Sequence, residues 1–179
     1  MQVYALSLKA LFEPMIRYYL LISCLLMFCQ ICSGQSAKDS ITSPARTLSY
    51  KQYNAYLNGD DYDNMALVAE LNDYPAPQRA IELKKQLGLS SDQVAKITAV
   101  DAGLIRKKKE MGRLIIKNER VLDSLFRIRQ VDDGTLVFYG QRTDLFRGEL
   151  RNAILQAYLK VYGILTPNQR IRYKQLHKL

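Results

Sequence analysis

A chain of 179 residues with 26 Lys and Arg against 17 Asp and Glu, a net charge of +9, is one domain or one domain plus a tail. It has one His and three Cys, and all three (Cys24, Cys29, Cys32) fall within the first 34 residues. Once that segment is removed, a disulfide framework, a thiol nucleophile and a Cys-based zinc site are all excluded.

Residues 1–34 read as a signal peptide. Arg17 precedes the uncharged run YYLLISCLLMFC, and the small residues Cys32, Ser33 and Gly34 follow it: a cation, a short apolar core and a cut site. The core falls short of the roughly 20 residues that a bilayer span needs. A permanent anchor and a lipidated form processed at Cys24 are the competing readings, and Met15 is a second candidate start. Beyond Gly34, 24 basic and 16 acidic residues remain, a net charge of +8. A basic exported chain suits acidic partners such as unfolded chains or anionic surfaces, and its compartment excludes nucleic acid.

Residues 35–76 hold a leader, a helix and a loop. QSAKDSITSPA (35–45) is small and polar and reads as mobile. Residues 48–57 form a short helix that stops at Asn58-Gly59. Residues 59–76 carry Asp60, Asp61, Asp63, Glu70 and Asp73 with no base, which reads as a solvated acidic loop. As a calcium-binding loop counted from Asp61 it fails, because Ala66 stands where Gly is needed and Asn72 where Glu is needed.

From residue 77 to residue 179 the signals are helical. Residues 78–87 place Ile81, Leu83 and Leu87 near one face and stop at Gly88. Residues 94–128 contain no Pro, and Gly103 and Gly112 are their only glycines. Ile97, Leu104, Met111, Leu114, Ile115, Val121, Leu122 and Leu125 recur every three or four positions, which predicts one amphipathic helix of about 50 Å. A turn at 131–134 follows, with Asp133 or Thr135 as the expected cap. A second long helix has Phe138, Leu145, Leu150, Ile154, Leu155, Tyr158, Val161 and Tyr162 on its apolar side and halts near Gly163. Residues 167–179 make a terminal helix. No segment alternates at period two, so the fold class is all-α: a long helical hairpin with short flanking helices.

Two stretches of the chain repeat one pattern, LGLSSDQ at 87–93 and GILTPNQ at 163–169. In a capping box, a Ser or Thr oxygen accepts from the backbone N–H three residues on. The Gln at that third position accepts in return from the cap's own N–H. Ser90 with Gln93 and Thr166 with Gln169 fit this box, and Pro167 occupies the first helical position, where its missing donor costs nothing. Leu89 and Leu165 precede the caps, placed for a hydrophobic staple. Each copy marks a corner between two helices.

Two such corners bracketing a helical hairpin, the second written Ile164-Leu165-Thr166-Pro167-x-Gln169, make the chain resemble the Spy/CpxP family of periplasmic proteins with its repeated Leu-Thr-x-x-Gln motif. The resemblance covers residues 77–179 and extends more weakly to Ala69-Glu70-Leu71-Asn72 and Tyr74-Pro75-x-Pro77. Ser90 replaces the Thr of the first copy, and Asp73 and Ala76 stand where glycines are expected. The resemblance implies a periplasmic, hooked or cradle-like subunit that pairs antiparallel into a homodimer. It also implies ATP-independent, chaperone-like binding of unfolded or partly folded envelope proteins, with no cofactor. The alternative it implies is a regulatory or metal-responsive protein that docks on a membrane sensor.

The candidate binding surface is Arg106, Lys107, Lys108 and Lys109 followed by Met111, Leu114 and Ile115: a cationic rim beside apolar contacts on one helix. A solvated face with Lys stems lying over apolar surface is the competing reading. His177 is the only histidine, so no tetrahedral zinc set forms within one chain. Asp60/Asp61 and Asp132/Asp133 are adjacent carboxylates in loops, and no nucleophile-base arrangement or phosphate-binding Gly loop is present. The chain is not expected to be an enzyme.

Overall fold

The computed structural model describes residues 42–177. The expected signal segment, its expected cut site and residues 35–41 of the expected leader lie outside the described residues. Among the described residues seven helices follow in order: α1 Tyr50–Asn58, α2 Leu67–Glu70, α3 Pro77–Glu82, α4 Lys84–Leu87, α5 Ser91–Arg127, α6 Asp133–Ile164 and α7 Pro167–His177. The fold is all-α, with no strand among the described residues. Helices α5 and α6 pack along each other as a long hairpin, α1 and α3 lie against α5, and α4 meets α7.

Helix α5 runs for 37 residues, or about 55 Å, because nothing within it removes a backbone donor. One of its glycines has a packing reason. Gly112 is where α1 crosses, and a Cβ there would overlap the carbonyl oxygen of Tyr56. Helix α1 itself is closed by Gly59, left-handed at φ 81°, as the Asn58-Gly59 signal predicts.

The main core joins Met111, Ile115 and Ile116 of α5 to Phe146, Leu150, Ile154 and Tyr158 of α6. The expected apolar face of α6 needs a correction at its start. Phe146 is buried, whereas Phe138 and Leu145 are half exposed or more. Phe146, Leu150, Ile154 and Tyr158 repeat at spacing four, and Leu145 sits one residue, about 100° of helix, off that stripe. Phe138 lies beyond the packed part, with the Arg142 guanidinium 4.9 Å above its ring. The register of the hairpin is held by Asn118, buried in α5, whose amide donates to the Tyr139 carbonyl at 2.7 Å and to Thr143 Oγ1 at 2.8 Å. A buried amide that finds partners at only one register penalises the alternatives.

Local expectations are revised at three further points. The cap of α6 is Asp132, not Asp133 or Thr135. Its carboxylate accepts from Thr135 N–H at 2.7 Å, and Thr135 is the reciprocating third residue. Those bonds hold the Asp132 carboxyl below its ordinary pKa. Helix α6 ends at Ile164, next to Gly163 as expected, and the chain becomes extended at Leu165 (φ −76°, ψ 138°), shortly before Pro167 begins α7. The helix expected over 78–87 is two, broken at Leu83, which turns Leu83 and Leu87 onto Tyr173 of α7. The end of the leader is anchored: Ala45 is buried, and Arg46 forms an ion pair with Asp123 of α5 at 2.8 Å.

The largest correction concerns residues 59–76. This segment is not a solvated loop. It lies as a strap over the hairpin, with Met65, Ala66 and Ala69 in the main core. Its carboxylates turn inward, because three of them meet hydroxyls or cations of α6 and α7.

Candidate functional site

Both copies of the repeated motif form their capping boxes. Gln93 N–H donates to Ser90 Oγ at 3.2 Å and Ser90 N–H to Gln93 Oε1 at 3.0 Å. In the second copy Gln169 N–H reaches Thr166 Oγ1 at 3.4 Å, and Thr166 N–H donates to Gln169 Oε1 at 2.9 Å. The structure adds what the spacing did not show: the two copies, 76 residues apart, dock on each other. Gln93 Nε2 donates to Gln169 Oε1 at 2.8 Å, and Gln169 Nε2 donates back to Gln93 Oε1 at 3.0 Å. Each amide nitrogen also reaches the carbonyl two residues before the opposite cap, Ile164 O at 2.9 Å and Gly88 O at 3.2 Å. Every hydrogen-bonding position of both amides is thereby filled. Leu165 is fully buried beside Ala80, Ile97 and Val161, and Leu89 packs on that cluster and on the Leu83–Leu87–Tyr173 cluster. The doubled motif is a reciprocal lock that fastens the ends of the hairpin to α3, α4 and α7.

The candidate surface at 106–115 does not stay together as a surface. Met111 and Ile115 are buried at 2% and 1% exposure, and Leu114 packs half-buried on the same core. These residues hold the hairpin and α1 together, so they offer no contact to a partner. Lys107 is engaged by Glu110 at 3.6 Å and by Glu149 of α6 at 3.4 Å. Lys108 and Lys109 are half-buried, and their stems lie where Gly59 closes α1. Arg106 remains exposed. The cation run is largely a seat for neighbouring helices.

A different constellation, one turn further on, has the form expected of a mixed surface. Between α1 and α5 lies a groove of about 510 Å³. Tyr53, Leu57, Ile116, Val121 and Leu125 form its apolar walls, and Arg113, Lys117 and Arg120 line it with no acidic residue among the lining side chains. None of the three cations pairs with a carboxylate among the described residues. Arg120 is exposed and lies 5.7 Å over the Tyr53 ring. The sequence carries the signal: Lys109, Arg113, Lys117 and Arg120, at spacings of four, four and three, make one helical stripe. The consecutive run 106–109 drew attention away from it.

At the other end of α6, Tyr162 stacks between Tyr74, at 4.5 Å, and the Arg170 guanidinium, at 4.1 Å. Arg170 Nε also donates to the Tyr162 carbonyl at 2.9 Å. The basic residues of α7 are thus partly structural. Among the described residues no cluster of His, Cys, Asp and Glu could hold a metal ion, and the His177 side chain lies outside the described residues. Among them, too, no helix is long and apolar enough to cross a membrane. The chain matches no family model, no curated protein and no solved structure.

Proposed function

We propose that this is an exported, ATP-independent binding protein of the Spy/CpxP type, which holds unfolded or partly folded envelope proteins in the periplasm and works as a homodimer. The observation that carries the reading is the groove between α1 and α5, where Arg113, Lys117 and Arg120, none paired with a carboxylate among the described residues, stand beside apolar walls. Charges of one sign in a groove with no acidic side chain in its lining attract an acidic chain from a distance, and the apolar walls retain its hydrophobic residues on contact. The doubled, interlocked motif supports the family resemblance. Pairing of two copies is supported by the exposed Phe126, Ile128, Leu136, Val137 and Phe138 around the hairpin turn, a concentration of apolar surface that soluble chains ordinarily cover.

The test is suppression of aggregation of a chemically unfolded acidic protein at pH 7, without nucleotide. The chain beginning at Gln35 is expected to suppress aggregation near equimolar ratio, and Arg113→Gln/Lys117→Gln/Arg120→Gln is expected to lose most of that effect with helicity unchanged. Suppression by neither protein would refute the holding function. Equal suppression by both would refute the groove as its seat.

A further inference from the structure

Helix α6 carries apolar residues on two sides. Its inner stripe, Phe146, Leu150, Ile154 and Tyr158, lies in the main core. On the opposite side Phe138, Gln141, Leu145, Gly148, Asn152 and Leu155 follow one another at alternating spacings of three and four, and Leu159 continues the series. That is a heptad seam about 32 Å long, the pattern with which one helix packs along another. All seven residues are exposed except Leu155, which is half-buried, so no helix among the described residues covers the seam. One glycine in it has no reason within the chain. A Cβ at Gly148 would meet nothing within 4 Å, although glycine weakens a helix interior relative to alanine.

We propose that this seam is where two copies of the chain pair, α6 against the α6 of a second copy, antiparallel about a two-fold axis level with residues 146 and 147. The proposal rests on the homodimer reading above and gives it a face and a register. Two-fold pairing is self-complementary, so each contact is made twice. With Leu145 set on the partner's Gly148, the other layers follow by counting. Phe138 meets the partner's Leu155, and Gln141 meets the partner's Asn152. A large side chain thus falls on bare backbone, and the two exposed amides face each other instead of a leucine.

The charges beside the seam agree with this register. In an antiparallel pair the same flank of each helix meets. Asp144 and Arg151 share one flank, and each then opposes the other's counterpart in the second copy. Arg142 and Glu149 share the other flank and do the same. Asp144 and Arg151 take part in no ion pair among the described residues. Glu149 also holds Lys107 at 3.4 Å, and Arg142 lies 4.9 Å over the Phe138 ring at the edge of the seam. Parallel pairing is penalised by the same residues: it sets Asp144 against the partner's Glu149 and Gly148 against the partner's Gly148, two like charges and a void.

The antiparallel register also covers apolar surface outside the seam. Leu71 is largely exposed, and Leu67 and Val68 of α2 are about half exposed. They border clefts of about 580 Å³ and 380 Å³ against α6, the first lined by Gly148 and Arg151 and the second by Leu155 and Leu159. Counted through the axis, the partner's Val137 and Phe138, themselves half exposed, arrive level with Leu155 beside these clefts. Two apolar patches at opposite ends of one face meet when the second copy is turned end for end. The groove between α1 and α5 has no lining residue from α6, so pairing leaves it open.

The test is sedimentation equilibrium of the chain beginning at Gln35, with helicity followed by circular dichroism. The parent is expected to dimerise reversibly. Asp144→Arg, Arg151→Asp and Gly148→Leu are each expected to raise the dimer dissociation constant about tenfold with helicity unchanged. The combined Asp144→Arg/Arg151→Asp is expected to return to within about threefold of the parent, because exchanging both charges rebuilds the pair across an antiparallel axis. If a charge variant loses helicity, Gly148→Leu decides, since its site has room within the chain. A dimer that the single variants leave intact, a double variant no tighter than the single ones, or tighter pairing by Asp144→Arg alone, the mark of a parallel pair, would each overturn this proposal while the homodimer reading stands. A parent that stays monomeric at every concentration would overturn both.

Discussion

The corner where the two motif copies meet and the groove between α1 and α5 are both built from polar side chains beside apolar ones, yet they differ in one respect. At the corner every polar group is answered: Gln93 and Gln169 fill each other's donors and acceptors and those of both caps. In the groove Arg113, Lys117 and Arg120 have no carboxylate partner among the described residues. Satisfied polar groups fix one geometry, and that is what a structural joint needs. Unpaired cations over apolar walls leave interaction free energy for another molecule. The contrast gives the motif an architectural part and supports the proposal that the groove is the seat of recognition.

The change with the largest expected effect breaks the groove by breaking the fold around it. Gly112→Ala forces α1 off α5, because the added methyl meets the Tyr56 backbone rather than a side chain that can move. A loss of about 3 kcal/mol is expected by urea unfolding, at the upper end for overpacking. A loss below about 0.5 kcal/mol would show that α1 does not cross where it is placed.

A smaller effect tests the reciprocity of the corner. Gln93→Ala and Gln169→Ala each leave the partner amide with unmade bonds, at about 2 kcal/mol apiece. The double variant is expected to fall short of the sum by about 1 kcal/mol, since once both amides are gone neither is left with the other's donor and acceptor unmet. Strict additivity would mean that the two copies are independent caps. Smaller still are the caps themselves. Ser90→Ala is expected to cost about 1 kcal/mol and Thr166→Ala less, the hydroxyl contact being 3.2 Å in the first box and 3.4 Å in the second. The reverse order would contradict the geometry.

How legible this was in the sequence depended on the range of the interaction. The helices and the two boxes rest on residues three or four apart, so Ser90, Gln93, Thr166, Pro167 and Gln169 declared them. The meeting of the two glutamines did not show, because a contact across 76 residues leaves no local pattern. The acidic strap looked solvated for the same reason: its partners Arg147, Tyr158 and Lys174 belong to distant helices. Met111 and Ile115 were correctly legible as apolar stripe and wrongly placed on a binding surface. Periodicity says that a face is apolar but not whether another helix already covers it. Gly112 was visible as an interruption, and only the approach of Tyr56 gives it a purpose. The groove cations were legible as a stripe at helical spacing once the consecutive run 106–109 was set aside.

The most direct test of the division between joint and groove is the association rate of an acidic unfolded polypeptide, followed by stopped flow at about 50 and about 300 mM salt, over which the screening length shrinks from about 14 Å to about 6 Å. Two variants are compared with the parent, Arg113→Gln/Lys117→Gln/Arg120→Gln and Lys107→Gln/Lys108→Gln/Lys109→Gln. The groove variant is expected to associate about tenfold more slowly at low salt and to lose most of its salt dependence, while the 107–109 variant keeps a rate within about twofold of the parent. Equal slowing by both variants would leave only net charge as the cause. Slowing by the 107–109 variant alone, with the groove variant unchanged, would contradict the assignment of recognition to the groove.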